Sequence, residues 1–133
     1  MSEENVELLR RAYAVADADG IERALEHFLH PEIEYREDEK FPGAGVYNGR
    51  EAVLSVFKGY FELLGAGRTV LERVVDAGAE LAWVHRFVAQ STGAGVPHEH
   101  HWGYVGRIVD GRLRYLRAYY ESSEALEAVG VRE

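Results

Sequence analysis

The stretch His98-Glu99-His100-His101-Trp102 gathers three imidazoles beside an indole, and His85 lies thirteen residues before its first histidine. Such a set can bind a metal, transfer protons or simply finish a polar strand. In an extended strand the side chains alternate, so His98 and His100 share one face about 7 Å apart, while Glu99 and His101 take the other. The three imidazoles therefore cannot meet at one atom. His98, His100 and a His85 from a neighbouring strand could close on a metal, but no downstream carboxylate stands at a matching spacing, and no metal is assigned. His98, directly after Pro97, reads as a solvated strand end. An imidazole that titrates near neutrality and lies between aromatic walls such as Trp83 and Phe87 stays neutral and is suited to receiving a proton. The plainer alternative, that His85 and His100 only hydrogen-bond inside a moderately polar interior, stays open.

The elements that must position these groups follow from periodicity. Val6, Leu9, Tyr13 and Ala16 recur at helical spacing over residues 2–17, with Glu3 and Glu4 at the positive end of the helix. The DADG that follows (residues 17–20) starts like a calcium loop, but position twelve of such a loop is Phe28 rather than Glu, so it reads as a turn. Ile21, Ala24, Leu25 and Phe28 predict a second helix, stopped by Pro31. Ile33, Tyr35 and Glu37 alternate with polar residues, the period of a half-buried strand. A polar loop with three glycines leads to Asn48, which with Glu51 makes a capping box for a third helix carrying Val53, Val56, Phe57 and Tyr60. Four strands follow, at residues 69–76, 80–90, 98–109 and 112–121, the last two joined by an Asp-Gly hairpin turn. SSEALEAVG adds a short closing helix. Helices grouped first and antiparallel strands grouped last make an α+β domain: a strongly curved antiparallel sheet wrapped around three N-terminal helices, with one open mouth.

Composition narrows the function. A chain of 133 residues fits one domain spanning 1–133, with a core of its own. No apolar run approaches the roughly 18 residues of a membrane span, and the first residues lack the pattern of a secretory signal. With no cysteine there are no disulfides, and a cytoplasmic location is expected. A net charge of −8 with scattered arginines argues against nucleic acid. No phosphate loop, dinucleotide fingerprint or nucleophile motif is present, so no cofactor is expected.

LLRRAYAVADADGIERALEHFLHPEIEY, FPGAGVYNGREAV and YVGRIVDGRLRYLRAYYESSEALEAVG together resemble the nuclear transport factor 2-like superfamily, within it the SnoaL-like polyketide cyclases and ketosteroid isomerases. The resemblance implies the cone of that fold, a cystatin-like roll. In ketosteroid isomerases a tyrosine of the first helix polarises a carbonyl, a carboxylate on the first strand moves the proton, and a second acid completes the oxyanion hole. By this likeness Tyr13 takes the first role and Glu37 the second. Tyr104 falls near the third, where the isomerases carry Asp. The likeness also turns Trp83, His85 and Phe87 inward, together with His98, His100, Trp102 and Tyr104, and leaves Val84, Arg86 and Val88 outside. It implies a cofactor-independent isomerase, cyclase or dehydratase in which Tyr13 donates to the carbonyl, Glu37 or His85 moves the proton, and His100 and Tyr104 assist. The ligand would be a small apolar or aromatic metabolite held by Tyr35, Phe57, Trp83, Phe87, Trp102, Leu116 and Tyr120. A binding or dimerisation module without catalysis is the competing reading. On the last strand Leu116, Ala118 and Tyr120 should face in, and Leu113, Tyr115, Arg117 and Tyr119 out. So apolar an outer face suggests a homodimer.

Overall fold

Glycines and register decide where the elements begin and end. In the computed structural model, which describes residues 2–41, 43–64, 67–90 and 97–131, helix α1 is Ser2–Asp19 and α2 is Ile21–Phe28. Gly20 between them takes φ 100°, a backbone that side chains with a Cβ rarely adopt, and the chain turns there. DADG is thus a helix end plus a turn, and Asp17 accepts two hydrogen bonds from Arg68, at 2.7 and 2.9 Å. Helix α3, Arg50–Leu64, starts behind Gly49 (φ 93°). Asn48, predicted as its cap, instead ends a short strand.

The strands are β1 (Leu29–Arg36), β2 (Val46–Asn48), β3 (Gly67–Asp76), β4 (Leu81–Gln90), β5 (Pro97–Val109) and β6 (Arg112–Tyr119), in the spatial order β2-β1-β6-β5-β4-β3. The meander β3 to β6 is antiparallel, as alternation predicts. Asp110 and Gly111 both take positive φ, 53° and 75°, in the β5–β6 turn. β1, however, runs parallel to β6, and β2 folds back on β1, so the curled, unclosed sheet is mixed. Pro31 does not stop α2, which has already ended at Phe28. It lies within β1 where the ladder to β6 is interrupted between Leu29 and Glu34, a place that tolerates a residue without an N–H.

Two bulges reset side-chain parity. Glu72 is an extra residue in β3, since Leu71 pairs with His85 and Arg73 with Val84. Arg114 is extra in β6, since Leu113 pairs with Ile108 and Tyr115 with Arg107. Leu113, expected on the outer face, is consequently turned inward and is 3% exposed.

The concave face packs Ile33, Tyr35, Trp83 and Leu116 against Leu9 of α1 and Val53 of α3. Leu29, Ile33 and Val53 are each 0% exposed, and burial of such a side chain contributes about 1.5–3 kcal/mol. The convex face is partly covered: α4, Ser122–Ala128, lays Ala125 and Leu126 on Ala82, Val84 and Val105. That contact needs Gly103, where a Cβ would come within 2.7 Å of Ala125 Cβ. Among the described residues no helix is long and apolar enough to cross a membrane.

Candidate functional site

Between the concave sheet face and the helices lies a cavity of about 360 Å³. On α1, Leu9, Tyr13 and Ala16 form one stripe, and Ala12 and Ala16 flank Tyr13 with little bulk, so its ring enters the space. Phe57 and Tyr60 of α3 form another wall. The sheet supplies Tyr35, Trp83, His85, Phe87, Trp102, Tyr104, Leu116 and Ala118. The described lining includes no Lys or Arg.

A hydrogen-bonded chain crosses this apolar interior. Trp83 Nε1 donates to the Tyr13 hydroxyl at 3.0 Å, Tyr13 lies 2.6 Å from His85 Nδ1, and Tyr104 lies 3.4 Å from His85 Nε2. Indole N–H can only donate, so the Tyr13 oxygen accepts from Trp83, and the rest of the chain follows the imidazole hydrogen. With that hydrogen on Nε2, Tyr13 donates to Nδ1, Nε2 donates to Tyr104, and the Tyr104 proton is left for the cavity; with it on Nδ1 every direction reverses and the Tyr13 proton is left instead. Desolvation, with a smaller repulsion from His100, lowers the His85 pKa to about 3. The surface His85 retains faces the cavity rather than bulk water. Burial likewise raises the phenols of Tyr13 and Tyr104, the first opposed by its bond from Trp83 and the second reinforced by Tyr13. All three groups are therefore neutral over the physiological range. Gly106 makes the geometry possible: a Cβ there would meet the Trp83 ring at 2.8 Å.

Glu37 lines the cavity from just beyond β1. Its carboxylate accepts from Gly45 N at 3.0 Å, its own N–H donates to Gly45 O at 3.1 Å, and the Tyr47 hydroxyl bonds to it as well. β2 thus brings back the residues that hold Glu37. Tyr35, two residues before it on the same face, stacks on Tyr47 and contacts Phe57, with ring centroids 6.2 and 5.0 Å apart.

The mouth is aromatic. Phe41 packs edge-on against Trp102 and Tyr120, at 5.2 and 5.8 Å, and the His100 ring lies 4.6 Å from Trp102 and 4.5 Å from Tyr120. His100 Nε2 is 3.0 Å from the Tyr120 carbonyl. Below them Asp38, 9% exposed, accepts from the backbone N–H groups of Tyr120 (2.9 Å) and Lys40 (3.1 Å). Burial acts to raise the Asp38 pKa, but these two donors, with Lys40 and Arg117 nearby, outweigh it and hold the carboxyl below the usual range.

No protein-family model and no curated protein matches the chain. Solved structures do, along nearly its whole length. A nuclear transport factor 2-like protein of unknown function from Burkholderia pseudomallei superposes with a TM-score of 0.73 at 14% identity, covering 96% of this chain and 98% of the other. A SnoaL-like protein from Jannaschia sp., provisionally a polyketide cyclase, gives 0.72 at 16% identity over 98% and 94%. TerC, co-crystallised with polyporic acid, gives 0.72 at 15% identity over 96% and 98%. The chain has the nuclear transport factor 2-like fold.

On this nuclear transport factor 2-like scaffold, shared with SnoaL-like proteins, the structure brings Tyr13, Glu37, His85 and Tyr104 to one cavity, with Tyr35, Phe57, Trp83, Phe87, Trp102 and Leu116 in its walls. It does not bring His100 and Tyr120 there. Tyr120 has left β6 and is 43% exposed, and the His100 ring turns to its carbonyl at the mouth. His101 and Glu99 point outward as alternation requires, His101 to Glu72 and Glu99 to Arg86. The His98 side chain, and with it the His98/His100/His85 metal arrangement, lies outside what is described. Among the described residues no three His, Asp or Glu side chains converge as metal ligands would. Sequence reasoning missed Phe41, Asp38 and Tyr47 as parts of the site. Phe41 and Tyr47, the two aromatics of a glycine-rich polar loop, were the available signal.

Proposed function

We propose that this chain binds a small apolar or aromatic metabolite and moves a proton next to its carbonyl without a cofactor, as an isomerase, cyclase or dehydratase does. The observation that carries the reading is the Trp83–Tyr13–His85–Tyr104 chain, a set of uncharged groups aligned inside an otherwise apolar cavity. In so dry a space a hydrogen-bond donor acts more strongly on a developing oxyanion than it would in water. His85, its pKa near 3, is too weak a base to accept the substrate proton at neutral pH. Glu37 is the group left for that task, steadied by Gly45 and Tyr47. The likeness to TerC, crystallised with polyporic acid, supports an aromatic ligand.

One arrangement favours the competing reading, a binding module without turnover: with the imidazole hydrogen on Nε2, the Tyr13 proton goes to His85 Nδ1, 2.6 Å away, and cannot also polarise a carbonyl. Deuterium exchange separates the two. With an aromatic ketone bound in deuterated water, catalysis incorporates deuterium beside the carbonyl, and Glu37→Gln abolishes it. A bound ketone that never exchanges leaves only the module.

The same reading extends to a homodimer through the part of the outer face that α4 leaves open. There Arg107 and Arg117 lie over the rings of Tyr115 and Tyr119, at 4.5 and 5.0 Å. Sedimentation of wild type and Tyr115→Glu tests it, with a monomeric wild type as the contrary result.

A further inference from the structure

If the cavity binds a carbonyl compound, some group must hold the oxygen, and in the Nε2–H form of His85 Tyr13 has no free proton for it. Two other phenols face the same space. Tyr35 of β1 pairs with Leu116 of β6, and Tyr104 of β5 pairs with Ala118. The two tyrosines are therefore two strands apart, about 10 Å, and offset by two residues, about 7 Å. On the strand between them Leu116 stands level with Tyr35 and Ala118 with Tyr104, and the small Ala118 methyl leaves room beside Tyr104.

Both hydroxyls are available. Tyr35 is 2% exposed yet makes ring contacts only, with no side-chain hydrogen bond among the described residues. Its oxygen is not sealed in protein as the unpaired Tyr60 hydroxyl is. In the same Nε2–H form Tyr104 receives the long bond from His85 and retains its own proton. A carbonyl oxygen has two lone pairs and can accept from both. With no Lys or Arg in the described wall, a carboxylate or phosphate would be buried there without a counter-charge, whereas a neutral ketone would not. Tyr104 also raises the pKa of Tyr35 beyond what burial alone does, as two neighbouring phenols should.

Resting on the carbonyl-binding reading above, we propose that Tyr35 and Tyr104 donate jointly to one ketone oxygen of the ligand, and that Tyr13 and Trp83 are positioning residues that fix His85 with its hydrogen on Nε2 behind Tyr104. A hydrogen bond received by Tyr104 polarises its O–H and strengthens the one it gives.

A matched pair of bicyclic probes tests this: α-tetralone, which carries the carbonyl, and tetralin, which has none. Wild type should bind the ketone more tightly. Tyr35→Phe and Tyr104→Phe should each reduce that preference by about fivefold to tenfold while leaving tetralin affinity intact, which also shows that the variants fold. Labelled tyrosine Cζ resonances of both residues should move with the ketone and stay still with tetralin. Tyr13→Phe should lower the preference less and change the His85 nitrogen shifts away from those of the Nε2–H form. A Tyr35→Phe protein with undiminished preference overturns the joint assignment. Wild type that binds both probes equally overturns it too, while sparing the cavity as a binding site. Wild type that binds neither overturns the carbonyl-binding reading with it.

Discussion

The inner end of the cavity and its mouth are built on opposite electrostatic plans. Inside, Trp83, Tyr13, His85 and Tyr104 satisfy one another while uncharged, because burial pushes the imidazole pKa down and the phenol pKa values up. At the mouth the organising group is a carboxylate, Asp38, kept ionised by backbone N–H donors although only 9% of it is exposed. Both regions are dense in aromatic rings, so ring packing alone does not separate them. The difference lies in what the polar atoms find. Side chains met only other neutral side chains, whereas Asp38 met two peptide donors at the end of a strand, and a carboxylate so bonded is stabilised in its charged form.

The largest expected effect comes from removing the inner scaffold. Trp83→Ala should cost about 3–5 kcal/mol in urea unfolding, combining a large cavity with loss of the hydrogen bond that the Tyr13 oxygen accepts. If the loss is instead as small as that of a surface change, the indole does not organise the inner end.

Acid should then separate the two regions by pH window. The unfolded chain protonates His85 near the ordinary imidazole value of 6.5 and the folded one near 3, so between those values the unfolded state binds more protons and stability falls on acidification. In His85→Phe that part of the slope should vanish. Asp38 acts lower: its folded pKa is depressed below 3.8, so its contribution is present above that value and is lost as pH falls further. A stability profile identical in His85→Phe and wild type between pH 6.5 and 3 would contradict a buried neutral imidazole.

Asp38→Ala should destabilise by about 1–3 kcal/mol by leaving the Tyr120 and Lys40 N–H groups unpaired. It should also loosen the mouth, raising ligand association and dissociation rates together. Phe41→Ala should have the smallest effect on stability and act on those same rates with little change in affinity. Stopped-flow binding checks both, and unaltered rates in both variants would show that ligands do not pass this way.

Much of the inner end was legible in the sequence. Alternation placed Trp83, His85 and Phe87 on one face, and helical spacing put Tyr13 on the buried stripe of α1. The mouth was not. Tyr120 shares parity with inward residues, but parity holds only while a strand lasts, and β6 ends at Tyr119; His100 keeps its parity within β5, opposite Phe87, yet its ring is drawn to the Tyr120 carbonyl. Leu113 escaped for a related reason, since the bulge at Arg114 shifts its side by one residue and nothing in the local composition marks it. Phe41, Asp38 and Tyr47 belong to a loop and a three-residue strand whose course depends on partners as remote as Tyr120, 82 positions from Asp38. The parallel pairing of β1 and β6 is equally non-local, and no period in either strand announces it.

That pairing bears on how the chain emerges during synthesis. β1 can pair with β2 early, but it meets β6 only after that strand, ending at Tyr119, has left the ribosome. Until then the first helices present their apolar stripes without the floor they rest on. Assembly should therefore wait for β6 and be governed by long-range closure rather than by the helices that come first.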